Sequence, residues 1–327
     1  MRSHPVKVSA AGVLLFGAGI AAGAVIMLIA GAKPGNLFCI QKYPLVQHTV
    51  DCGQYNDASD RLENIDAAID AATAQYIAEG KATKISVWVR DLNSYQWAST
   101  DENDRYDPAS LLKLPLLIAY YKLAELEPSI LTETLTYQIA TTSADTPDPL
   151  YPPSQVLAAG QSYPVETLIE HMIEYSDNNA ADVLASHIDQ NLFSNVLLDL
   201  GIQIPSSNGT SVHDFVTAKS YAGIFRMLYN ASYLNEDFSQ QALSLLSKSD
   251  FQGIRASVPA GTVVSDKFGE RGTVNSDGTE TQELHDCGIV YDKDESPYSL
   301  CIMTAGSDSA QLLDIIRSIT KIVSDKM

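Results

Sequence analysis

The stretch "YDPASLLKLPLLIAYYK", Tyr106 to Lys122, sets a serine and a lysine one turn apart at the head of a long apolar run. Ser110 and Lys113 share one helix face at that spacing. From Leu111 to about Leu126 nearly every residue is apolar, and the run is too short to cross a bilayer. It predicts a helix buried inside a domain. A lysine at the start of such a helix can be a snorkelling cation with its head in water. It can also be the base of a nucleophile. A serine hydroxyl is unreactive until a neighbour takes its proton, and a lysine shut away from water near another cation titrates low enough to do so. A second S-x-x-K, Ser318 to Lys321, lies in the last helix with no chain left to supply partners, and reads as a surface pair.

The elements around this helix set the fold class. Leu62, Ile65, Ile69, Ala72 and Tyr76 recur at helical spacing, and Gly80 supplies a stop. "KISVWVRD" and "QWAS" are strands joined by the turn "LNSY". Residues 137–164, rich in Pro, Ser, Thr and Asp, form a long loop of the kind that is functional or flexible. "VETLIEHMIEY" and "AADVLASHID" are helices, which puts Ser176-Asp177-Asn178 at their junction. "AKSYAGIFRMLYN" and "FSQQALSLLSK" are further helices, and "TVVSDKFG", "ELHDCGIVY" and "PYSLCIMTAG" are strands. The last helix carries Leu312, Leu313, Ile316, Ile319 and Val323. Short connections within the strand groups favour antiparallel pairing. The expected fold is α/β (α+β): a five-stranded antiparallel sheet flanked by the N- and C-terminal helices, plus an all-α lobe, with a crevice between them for a small molecule.

The first fifty residues differ from the rest. Arg2 and Lys7 precede Val8–Ala32, which holds no charge and is long enough to span a bilayer as a helix. The positive-inside rule then puts the remaining chain outside the cytoplasm. A cleaved signal peptide is the competing reading, since Ala30-Gly31-Ala32 has the A-x-A form, but the apolar core is longer than such peptides carry. The expected organisation is residues 1–32 as anchor or signal peptide, 33–58 as stalk and 59–327 as the soluble domain. The chain has 21 basic and 40 acidic residues, and no acid precedes Asp51. That balance repels nucleic acid and anionic lipid headgroups, so membrane contact is expected only through the N-terminal helix. The oligomeric state is open at this point.

Four cysteines, Cys39, Cys52, Cys287 and Cys301, lie beyond the apolar segment, and an even count outside the cytoplasm favours disulfides. No cysteine or histidine pair has close zinc-ligand spacing, and no metal or cofactor is expected. If the turn in "YDKDES" centres on Lys293–Asp294–Glu295, Cys287 faces Cys301 across a strand pair, and Cys39 pairs with Cys52. His171, His187, His213 and His285 are scattered and read as structural.

Ser110-x-x-Lys113 has partners further along. Ser176-Asp177-Asn178 by itself could be a helix cap, and Lys267-Phe268-Gly269 by itself a strand lysine before a turn glycine. Together and in this order they resemble the S-x-x-K, S-D-N and K-T-G signatures of the class A β-lactamases and penicillin-binding proteins, with Phe268 in the place of the threonine. From about Ile65 to its end the sequence resembles the class A β-lactamases and penicillin-binding proteins, with "YSDNNAADVL" and "SDKFGERGT" similar to the second and third motifs in context. The resemblance implies Ser110 as acylated nucleophile, Lys113 as its base and Ser176 as a proton shuttle to the leaving nitrogen. It implies that Asn178 bonds the substrate's amide side chain and that Lys267 attracts its carboxylate. It implies an oxyanion hole made of the backbone N–H of Ser110 and one just after Gly269, with Glu270 the nearest candidate. Asp177 holds the turn.

Two departures stand out. Phe268 replaces the usual threonine or serine, removing a hydroxyl from the carboxylate site; Arg271 could substitute, or its "GERG" setting could be a turn. The deacylating glutamate of class A β-lactamases is missing from its loop, which is shortened here to "IPSSNGTSVHDF" with Asp214 its only acid, and Glu236 falls too late. The expected function is a membrane-anchored extracytoplasmic serine hydrolase, acylated by β-lactams or by D-Ala-D-Ala peptidoglycan stems and slow to deacylate. The alternatives are a D,D-peptidase inhibited by penicillin and a degenerate, non-catalytic wall-binding module.

Overall fold

A computed structural model describes residue 45 and residues 59–94, 96–139, 149–205, 213–274, 278–292 and 296–327. The proposed anchor, the stalk apart from Leu45, Cys39 and Cys52 lie outside the described residues. No helix among the described residues is long and apolar enough to cross a membrane.

The chain begins with α1 (Ser59–Ala78), followed by β1 (Lys84–Asp91) and β2 (Trp97–Thr100). A 3-10 turn, Ala109–Leu112, leads straight into α2 (Lys113–Ala124). A small ladder of β3 (Thr134–Thr136) and β4 (Ser162–Pro164) brackets the long loop. Then come α3 (Val165–Glu174), α4 (Asn178–His187), α5 (Gln190–Asp199), α6 (Ala218–Tyr229) and α7 (Glu236–Leu246). The chain closes with β5 (Val263–Val274), β6 (Glu280–Tyr291), β7 (Tyr298–Gly306) and α8 (Ser309–Ser324).

The main sheet has five strands in the order β2-β1-β7-β6-β5, every pair antiparallel. Side chains alternate between its faces. Ile85, Val87, Val89, Leu300 and Ile302 point to one face, where α1 and α8 cover them through Ile65, Ile69, Ile316 and Ile319. Cys287, Ile289, Cys301 and Met303 point to the other, against the helical block. All nine residues of β7 are buried, as a central strand covered on both faces requires. The expected architecture of sheet, terminal helices and helical lobe is therefore the one observed.

Two details depart from the sequence reading. Helix α5 was not marked; Leu192, Phe193, Val196 and Leu197 have helical spacing, but only the last two are buried, and Asp189 caps the helix by accepting the Leu192 N–H at 2.8 Å. The second is β5, which does not stop at Gly269. It runs through Glu270, Arg271 and Gly272 to Val274, paired throughout with β6, so "GERG" is strand and not a turn. The β6–β7 register does set Cys287 opposite Cys301, and the two are disulfide-bonded.

Candidate active site

The turn that carries Ser110 is held from behind. Asp107 accepts the Ala109 N–H at 2.8 Å through Oδ1, while its Oδ2 meets Arg271 Nε and His213 Nδ1, each at 3.2 Å. Its own N–H donates to Glu283 Oε2 at 2.9 Å. These bonds tie the turn to β5 and β6 and hold Ala109 at a φ of 45°, in the left-handed region that a non-glycine residue adopts only under constraint. Arg271 is thus engaged by Asp107. Gly269 lets the turn approach β5: a Cβ there would lie 2.9 Å from both Leu111 Cγ and the Pro108 carbonyl oxygen.

Because the turn runs directly into α2, Lys113 Nζ comes 3.0 Å from Ser110 Oγ. It also lies 3.0 Å from Ser176 Oγ, 2.6 Å from the Ser176 carbonyl oxygen and 2.6 Å from Asn178 Oδ1. An ammonium has three N–H groups to offer these four oxygens, whereas a neutral amine can accept from a serine hydroxyl. Burial pushes the Lys113 pKa well below its ordinary value, and the nearby Lys267 charge adds to the fall.

Ser176 has a φ of 55° between α3 and α4. Asp177 caps α4 by accepting the N–H groups of Asn179 and Ala180, and its other oxygen takes the Tyr137 hydroxyl at 2.8 Å. From β5, Lys267 Nζ reaches Ser176 Oγ at 3.0 Å and the Phe268 carbonyl oxygen at 2.9 Å. Lys267 is fully buried, which lowers its pKa to about 8, with Asp286 and Asp266 opposing the shift. Ser110, Lys113, Ser176, Asn178 and Lys267 thus meet in one hydrogen-bonded cluster, although the sequence spreads them over more than 150 residues.

A cavity of about 890 Å³ opens in front of this cluster, lined by Ser110, Ser176 and Asn178 on one side and by Phe268 and Glu270 of β5 on the other. Tyr151 closes one wall. Its ring meets Phe251 and Phe268 edge-on, and its N–H donates to Glu270 Oε1 at 3.1 Å. Phe268 stacks on Phe251 with centroids 4.2 Å apart and is 4% exposed, so its side chain belongs to the core beside the third motif. Among the described residues, the acids lining the cavity are Glu270 and Glu280; neither Asp214 nor Glu236 does so. Sequence analysis named Glu270 only for its N–H and missed its carboxylate, which burial holds above the usual pKa. Counting alternate residues along an extended β5 would have found it. Lys321, of the second S-x-x-K, pairs with Asp325 on the surface.

Several solved structures share this fold. A β-lactamase from Xanthomonas campestris is 20% identical with a TM-score of 0.65, covering 80% of this chain and 98% of its own. PBP-A is 17% identical with a TM-score of 0.65, covering 81% of this chain and 96% of its own. A class A β-lactamase from Mycobacterium abscessus is 20% identical with a TM-score of 0.64, covering 78% and 96%. No curated protein matches the chain. The model of the β-lactamase enzyme family matches residues 65–327, most of the chain and all of the cluster around Ser110, and the chain belongs to that family.

Proposed function

We propose that the protein is an extracytoplasmic serine hydrolase that forms an acyl-enzyme on Ser110 with a β-lactam amide or the D-alanyl-D-alanine end of a peptidoglycan stem. The observation that carries this reading is the buried lysine 3.0 Å from Ser110 Oγ, its pKa pushed well down. As a neutral amine, Lys113 takes the Ser110 proton while Oγ attacks the amide carbonyl. Ser176, bonded to both lysines, passes a proton to the leaving nitrogen as the C–N bond breaks. The oxyanion hole uses the Ser110 and Glu270 N–H groups. Lys267 Nζ bonds the Phe268 carbonyl oxygen, so that oxygen faces the unpaired edge of β5, and the strand period of two turns the Glu270 N–H to the same side. Asn178 bonds the substrate's amide, and Lys267 draws its carboxylate.

Deacylation is slow in this reading, because Glu270, an acid that lines the cavity, has its Oε1 engaged by the Tyr151 N–H. A variant of PBP-A has been captured as an acyl-enzyme with penicillin G, which supports the same first step here. The test is intact-mass analysis and fluorescent-penicillin labelling of the full-length chain. A persistent adduct on Ser110 is expected. Absence of any adduct would leave the non-catalytic wall-binding module, and an adduct that clears within the dead time of mixing would mean a deacylation base is present.

A further inference from the structure

At the edge of the sheet away from Ser110, a second cavity of about 260 Å³ opens between the sheet and α6. Arg90 pairs across the sheet with Trp97 of β2 and with Ser299 of β7, so these three form a row, and Trp88 lies two residues along the same face. The opposite wall is one stripe of α6: Lys219, Ala222, Gly223 and Arg226.

Two independent features mark this as a built site. One is Gly223. A glycine inside a helix costs about 1 kcal/mol relative to alanine. Yet a Cβ at Gly223 would meet nothing within 4 Å, so no neighbour demands its absence; the missing side chain leaves the cavity floor open. The other is charge. Arg90, Lys219 and Arg226 converge on the cavity with no acid in its lining, on a chain of net charge −19. The carboxylate that reaches Lys219, Glu102 at 3.7 Å, does so from outside the lining. At the rim, Trp97 is 57% exposed and lies nearly parallel to Trp88, with centroids 6.0 Å apart, giving a flat apolar plate beside the cations.

We propose that this cavity binds a pyranose ring bearing a carboxylate or a phosphate. The C–H face of a pyranose packs on an indole plate, its anionic group meets the Arg226 guanidinium and the Lys219 ammonium on the helix wall, and the volume admits one ring. A polyanion such as nucleic acid is repelled by the acidic remainder of the surface, whereas a single anion meets only the local cations. The strand spacing sets the two sites roughly 15–20 Å apart at opposite sheet edges. Occupancy here is therefore independent of the chemistry at Ser110.

The chain has two tryptophans and both line this cavity, so intrinsic fluorescence reports on it directly. Glucuronic acid, glucose 6-phosphate and glucose are titrated into the full-length chain. Both anions are expected to change the emission saturably, with the tighter of the two identifying the carboxylate or the phosphate as the natural group, and glucose is expected to bind far more weakly. Arg226→Ala should weaken the anions roughly tenfold. Gly223→Leu, which fills the floor with a better helix former, should abolish the response while penicillin labelling is unchanged. No response to either anion, equal binding of glucose, or unaltered binding in Arg226→Ala would overturn the proposal. So would a response to anionic lipid vesicles in place of the sugars, which would make the patch a membrane contact.

Discussion

Two buried lysines, each 3.0 Å from the hydroxyl of Ser176, set the pH behaviour of the site. The Lys267 pKa falls from 10.5 to about 8 on folding. Between these two values the unfolded chain holds a proton that the folded chain has lost, so this residue's contribution to stability rises with pH across that window; below about 8 the cost of its buried charge is present in full. Acylation should move the opposite way. Once Lys267 is neutral it no longer draws a substrate carboxylate, so the acylation rate with a penicillin should decline above about pH 8 while thermal stability does not fall with it. Stopped-flow acylation and thermal melts over the same pH series check this; parallel decline of both would refute it. Ser110→Ala and Lys113→Ala should each abolish penicillin labelling, and the double variant should lose hardly more, because the two act as one unit. Ser318→Ala should label normally. At this scale the sequence was most informative for residues whose spacing is itself chemistry, such as Ser110 and Lys113. Phe268 was legible only as a missing hydroxyl, since its stacking on Phe251 depends on two segments that meet in the fold. The Glu270 carboxylate stayed hidden because the glycines around it imitate a turn.

Among the elements, β5 and the turn that carries Ser110 fit closely. Gly269→Ala places a methyl 2.9 Å from a backbone oxygen and from Leu111 Cγ, so the turn must move off the strand. Loss of labelling with far-ultraviolet circular dichroism retained is the expected outcome, and a fully labelled variant would show that the contact is slack. In the hairpin of β6 and β7, the Cys287–Cys301 bond closes a loop with a sequence separation of 14 residues. Replacing both cysteines by alanine should lower unfolding stability by about 3 kcal/mol in chemical denaturation. The pairing could be read in the sequence because a short turn fixes strand register, and register fixes which residues face each other. The full length of β5 could not: its last five residues, Glu270–Val274, look like loop in composition and become strand because β6 is there to pair with them.

For the whole molecule, the acidic balance and the order of sheet and helical lobe were visible from composition and periodicity, since both sum over many residues. The proposed lack of a deacylating glutamate also has its effect at this scale. Loss of general-base help is typically worth 10²–10⁴-fold, so steady-state penicillin turnover should trail acylation by roughly that factor. Comparison of stopped-flow acylation with steady-state hydrolysis measures the ratio, and near-equal rates would point to a base, with the cavity-lining Glu270 the first residue to replace.

The outer edge of β5 carries one more consequence. An unpaired strand edge offers its N–H and C=O groups to any extended chain, and most proteins guard such edges against self-association. Here Arg255 and Lys267 already take the Val264 and Phe268 carbonyls, while the stretch from Glu270 onward lines the cavity beside Ser110, so a ligand lying along that part of β5 is also a stopper against aggregation. The acylated protein should therefore stay monodisperse under heating or high concentration at which the empty protein begins to associate, a difference that light scattering would register.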